Sequence, residues 1–85
     1  MSIERDEVCV LIPTLNEAPT IGDLVRGFKE RGYEHILVID GNSTDGTPEI
    51  ARAAGAVVRT QTGKGKGNAI LEALEIIDKP RVLML

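Results

Sequence analysis

Ile36-Leu37-Val38-Ile39-Asp40-Gly41-Asn42-Ser43-Thr44-Asp45-Gly46-Thr47-Pro48-Glu49 decides the fold. Four consecutive apolar residues suit a strand buried on both faces, as in a parallel sheet. Asp40-Gly41 closes the run. Thr47-Pro48-Glu49 then opens a helix: Thr47 as N-cap, Pro48 at the first position, where a missing N–H costs nothing, and an acid in the first turn. Between them, Asp40 to Gly46 hold two aspartates and no apolar side chain. That is more polarity than a short βα turn needs. The same residues also make an ordinary turn into a helix, so a structural and a binding reading both stand.

Toward the N-terminus, Ile21, Leu24, Val25 and Phe28 recur at i, i+3, i+4 and i+7, one stripe of a helix. Pro19 fits its first turn, and Gly32 ends it. Val8 to Ile12, ended by Pro13, is the strand before it. Toward the C-terminus, a helix carrying Ile50, Ala51 and Ala54 ends at Gly55, and Ala56 to Val58 begins a third strand. The Gly63–Gly67 loop leads into a helix with Ile70, Ala73, Leu74 and Ile77 on one face. Pro80 breaks it, and Val82 to Leu85 is a fourth apolar run. The order β-α-β-α-β-α-β implies a parallel sheet with right-handed crossovers and strand order 3-2-1-4. The fold class is α/β, a three-layer Rossmann-like half-domain without repeats or linkers.

Composition agrees. The 85 residues allow one small domain, with 42% hydrophobic and 27% charged residues, the balance of a globular chain. Phe28 and Tyr33 are the only aromatics, so Val, Ile, Leu and Ala must build the core. A chain this short buries proportionately little surface. A net charge of -3 and the lack of an aromatic platform argue against a nucleic-acid partner. No run approaches the ~18 apolar residues of a membrane span, and Met1–Glu7 is too charged for a signal peptide, so a cytoplasmic segment is expected. Cys9 is the single cysteine, placed in an apolar strand as a small core residue.

In such a sheet, ligands bind beyond the carboxyl ends of the strands. Asn16 and Glu17 follow the first, Asp40 to Asp45 the second, and Lys64 and Lys66 the third. From Ile50 to Leu71 there is no acid, while Arg52, Arg59, Lys64 and Lys66 are all basic. Carboxylates facing lysines suit a nucleoside diphosphate: the acids accept from ribose and base, and the lysines neutralise phosphate. Asn16 and Glu17 could equally open a helix, and Gly63–Gly67 could be a solvated loop. Its position before a helix favours anion binding. His35 belongs to the opposite end of the sheet. No G-x-G-x-x-G follows the first strand, Gly67 breaks a Walker A pattern after Lys66, and Asp45 stands where an EF-hand needs glycine. No His/Cys cluster exists for zinc.

Val10-Leu11-Ile12-Pro13-Thr14-Leu15-Asn16-Glu17, Asp40-Gly41-Asn42-Ser43-Thr44-Asp45-Gly46-Thr47 and Gly65-Lys66-Gly67-Asn68-Ala69 together resemble the inverting GT-A glycosyltransferases. The likeness is nearest to dolichyl-phosphate mannose or glucose synthases and covers Val8 to Leu85. It implies that Pro13, Leu15, Asn16 and Glu17 line a donor-nucleotide pocket, Glu17 near the ribose. It implies a base contact for Asp40, with Asn42 and Ser43 beside it, and a pocket floor and turn anchor in Asp45. Lys66, and less directly Lys64, would lie near the donor phosphates. The implied donor is a GDP- or UDP-sugar. The implied acceptor is a polyprenyl phosphate, with a small soluble acceptor such as phosphoglycerate as the alternative. Mg or Mn would serve the full-length enzyme through an Asp-x-Asp expected after the fourth strand, so this chain carries neither catalytic nor metal residues of its own. Membrane association would come through a C-terminal region outside these residues. A non-catalytic nucleotide-binding module is the reading from another class.

Overall fold

The computed structural model describes residues 7–63 and 66–85, without the side chain of Lys66. The elements run β1 (Val8–Thr14), α1 (Ala18–Glu30), β2 (His35–Asp40), α2 (Thr47–Ala53), β3 (Val57–Thr60), α3 (Lys66–Ile76) and β4 (Arg81–Met84). The sheet order is β3-β2-β1-β4 and every pairing is parallel. This is the order expected from three short helical crossovers.

Strand alternation sorts the core into two layers. Val10, Ile12, Ile36, Val38 and Val58 face α1 and α2, packing with Ile21, Val25 and Ala51. Cys9, Leu11, Leu37 and Ile39 face the other way, under Ala69 and Ala73 of α3. Burial raises the Cys9 thiol above its ordinary value, which keeps it protonated and unreactive. Phe28 and Tyr33 close the first layer edge to face, 5.7 Å between ring centroids.

Two helices end in the same device. The Gly32 N–H donates to Lys29 O and the Tyr33 N–H to Phe28 O. The Gly55 N–H donates to Arg52 O and the Ala56 N–H to Ala51 O. Both glycines have positive φ, 92° and 111°, which makes these Schellman caps that aim the chain into the next strand.

Two local expectations change. Gly46, with φ 89°, occupies the N-cap of α2, and Thr47 is the first helical residue, making no side-chain cap to its own helix. The side of α3 that packs on the sheet is Ala69 and Ala73, continued by half-buried Ile77 just past its end, whereas Leu74 is exposed. Alanines let the helix lie close on Leu11, Leu37 and Ile39. The bulkier apolar residues are left on its flanks.

Candidate functional site

The loops after β1 and β2 are stitched together by side chains. Asn16, in the left-handed region at φ 54°, donates its backbone N–H to Ser43 Oγ at 2.7 Å and accepts the Thr44 N–H on Oδ1 at 3.0 Å. Ser43 Oγ passes its own hydrogen to Asp40 Oδ1 at 2.7 Å, and Thr14 Oγ1 donates to the same oxygen at 2.7 Å. Asp40 Oδ2 accepts the Ser43 N–H at 2.8 Å. The Asp40 carboxylate is only 1% exposed.

Asp45 and Thr47 join the two helix starts. Asp45 Oδ2 accepts the Ala18 N–H at 3.1 Å, and Oδ1 accepts the N–H of Thr47 at 3.0 Å together with its hydroxyl. Thr47 Oγ1 in turn accepts the Glu17 N–H at 2.9 Å. Free N–H groups at the start of α1 are thus supplied from the neighbouring loop. The Thr47 hydroxyl, aided by the Ala18 and Thr47 amides, holds the Asp45 carboxyl below the ordinary 3.8.

After β3, Glu72 reaches back from α3 to gather the turn. Its carboxylate accepts the backbone N–H groups of Thr62 (2.8 Å) and Gly63 (3.1 Å), the Thr62 hydroxyl and the Asn68 amide. The two backbone donors lead in lowering its pKa below 4.5.

A cavity of about 490 Å³ opens beside these loops, in the range of small-molecule sites. Pro13 enters it from the end of β1, Leu15 and Glu17 from the first loop, Gly41 and Asn42 from the second, Gln61 and Gly63 from the third. Ile39 and Ala69 supply apolar wall, so the first turn of α3 stands over the cavity. Of the sequence candidates, Pro13, Leu15, Glu17 and Asn42 therefore line the space. Asn16, Ser43 and Asp45 are not among its lining and serve the stitching. Lys64 lies outside the described residues, and Lys66 is placed only as the first residue of α3.

Asp40 is not among the cavity's lining. The resemblance implied a direct contact with the base, yet its carboxylate is buried and engaged on the α1/α2 side. Strand alternation is the cause: Thr14 and Asp40 continue the Val10–Ile12 and Ile36–Val38 series, while Pro13, Ile39 and Gly41 continue the series facing α3. The residue overlooked is Gln61. It follows Thr60, the partner of Asp40, and so falls beside Gly41 on the cavity face. The period of two was enough to find it.

A parallel 3-2-1-4 sheet whose carboxyl-end loops converge on an open cavity defines the Rossmann-like α/β class, in which that edge is where ligands bind. Residues 9–85 match the model of Glycosyl transferase family 2, and the chain belongs to that family. It is 54% identical over 81 residues to "Glycosyltransferase AglJ" of Haloferax volcanii, a match covering 94% of this chain and 27% of that protein. It is 36% identical over 80 residues to a "Dolichyl-phosphate hexose transferase" of the same organism, covering 92% and 35%. Glucosyl-3-phosphoglycerate synthase from Mycobacterium tuberculosis, crystallised with Mn2+, UDP-glucose and phosphoglyceric acid, superposes with a TM-score of 0.84 at 27% identity. That superposition covers 92% of this chain and 32% of the synthase. The fold is thus the GT-A type, and the chain spans about a third or less of these proteins.

Proposed function

We propose that the chain binds the nucleoside diphosphate of a GDP- or UDP-sugar, as the donor-binding part of a glycosyltransferase that transfers the sugar to a polyprenyl phosphate. The observation that carries this is the cavity at the carboxyl edge. It has apolar walls for a base, Glu17 for ribose hydroxyls, and the start of α3, in an acid-free stretch, for phosphate. The dolichyl-phosphate relative supports the lipid acceptor. The superposition on a phosphoglycerate-dependent synthase supports a small soluble acceptor as the second reading.

The resemblance brings Mg or Mn to the full-length enzyme. Among the described residues, no three acidic, histidine or cysteine side chains converge to hold an ion, so no step through a metal is assigned to this chain. Among them, too, no helix is long and apolar enough to cross a membrane.

Titration calorimetry tests the reading. UDP or GDP should bind saturably, and Lys66→Ala should weaken the diphosphate by roughly tenfold or more while sparing uridine or guanosine. Equal losses for diphosphate and nucleoside would remove Lys66 from the phosphate role. Absence of binding by either diphosphate would overturn the proposal.

A further inference from the structure

Gln61 is a polar side chain at the cavity wall with only 8% of its surface exposed. An amide in that position must find partners, because burying one without hydrogen bonds is costly. Its backbone N–H donates to Asp40 O at 2.8 Å, extending the β2–β3 ladder by one residue and fixing where the side chain starts. Its Nε2 donates to Gly63 O at 3.1 Å, which fixes which end of the amide is the nitrogen. Oε1 has no hydrogen-bond partner among the described residues, yet no fully buried side-chain oxygen there lacks one. Oε1 therefore keeps contact with the open space.

Gly41 leaves that amide uncovered. A Cβ at position 41 would lie 3.9 Å from the amide carbon and nitrogen of Gln61 and 3.4 Å from Thr14 O. The other buried polar side chain of the lining, Thr14, has given its hydroxyl to Asp40. Asn42 and Glu17 are exposed and compete with water. Pro13, Ile39 and Ala69 add flat apolar wall.

We infer that Gln61 reads the hydrogen-bonding edge of the nucleobase and sets which base this site accepts, an inference that rests on the nucleotide reading above. Oε1 is an acceptor, so it selects a base with a ring N–H. Uracil has N3–H and guanine N1–H, whereas cytosine N3 and adenine N1 offer a lone pair that the acceptor repels, so those bases meet Oε1 only by shifting to present their exocyclic amino group. A site built around a hydrogen bond discriminates against ligands that leave it unmade. Asp40 acts at one remove, holding through its carbonyl the backbone that carries Gln61.

The test measures the affinity of the 85-residue chain for UDP, GDP, CDP and ADP by calorimetry, in the wild type, Gln61→Met and Gln61→Ala. Met preserves bulk without the amide, and Ala removes both. The wild type should favour UDP or GDP. Both variants should lower that preference over CDP and ADP by about five- to tenfold, the value of one hydrogen bond. An unchanged preference, or an equal loss for all four nucleotides, would assign Gln61 a merely structural role and overturn the inference. Failure of the wild type to bind any of the four overturns the nucleotide reading itself, which separates the two outcomes.

Discussion

A carboxylate almost sealed from water has to be satisfied by its neighbours. Asp40 achieves this through two hydroxyls and one backbone N–H contributed by Thr14 and Ser43. These bonds tie the end of β1 to the loop after β2, so the same residue shapes two sides of the cavity without entering it. Asp40→Ala would leave the Ser43 N–H and both hydroxyls without their acceptor. It should destabilise the chain by about 2–4 kcal/mol in urea unfolding. Asp40→Asn keeps the shape and one acceptor, and hydroxyls can rotate toward its new donor, so a loss near 1 kcal/mol is expected. A smaller loss from Ala than from Asn would show that the carboxylate does not fasten the loop.

Elements meet at the seam between the starts of α1 and α2, and Asp45 is ionised there below its ordinary range. Glu72 plays the same part between the β3 turn and α3. A carboxyl depressed in the folded state stabilises the fold above its unfolded pKa. That stability is lost as pH falls through the folded value. Urea midpoints should therefore drop as pH is lowered from about 6 through the 3.8–4.5 region and below, and Asp45→Asn or Glu72→Gln should each flatten the slope. A slope unchanged in both variants would mean that other carboxyls govern the acid response. The seam itself was hard to foresee, although the order of elements was plain from Val8–Ile12, Ile36–Ile39 and the helical stripe through Ile21 and Val25. Periodicity reports which residues face inward but not which loop a polar side chain will reach. Asn16 thus reads as a local cap and Asp45 as an anchor of its own turn, yet both also bond across some thirty residues. In α3 two apolar stripes compete, and the small residues Ala69 and Ala73, weak in any hydrophobicity count, take the sheet. The cavity face was legible in principle, because Gln61 follows from the alternation of β3, but a neutral amide carries a weaker chemical signal in sequence than a carboxylate such as Asp40.

For the whole molecule, the two sheet edges differ in character. β3 ends in Arg59 and Thr60, and a charge on an edge discourages pairing with another chain. β4 begins with Arg81 but continues Val82-Leu83-Met84, followed by Leu85, and all of these are exposed. Val82 and Met84 pair with Cys9 and Leu11, so they share the face on which α3 lies, and α3 itself exposes Leu71, Leu74 and Ile76. An apolar strand edge next to apolar helix flanks favours association between copies of these 85 residues. Sedimentation velocity should show an average mass that rises with concentration. Met84→Lys places a charge on that edge at a side chain 47% exposed, so it should shift the chain toward monomer. Its own stability should change by no more than about 0.5 kcal/mol, as for most exposed positions. Arg59→Lys keeps the charge of the opposite edge and should leave association as it was. If the wild type stays monomeric across the range, or Met84→Lys associates as strongly as the wild type, the β4 edge is not the adhesive one.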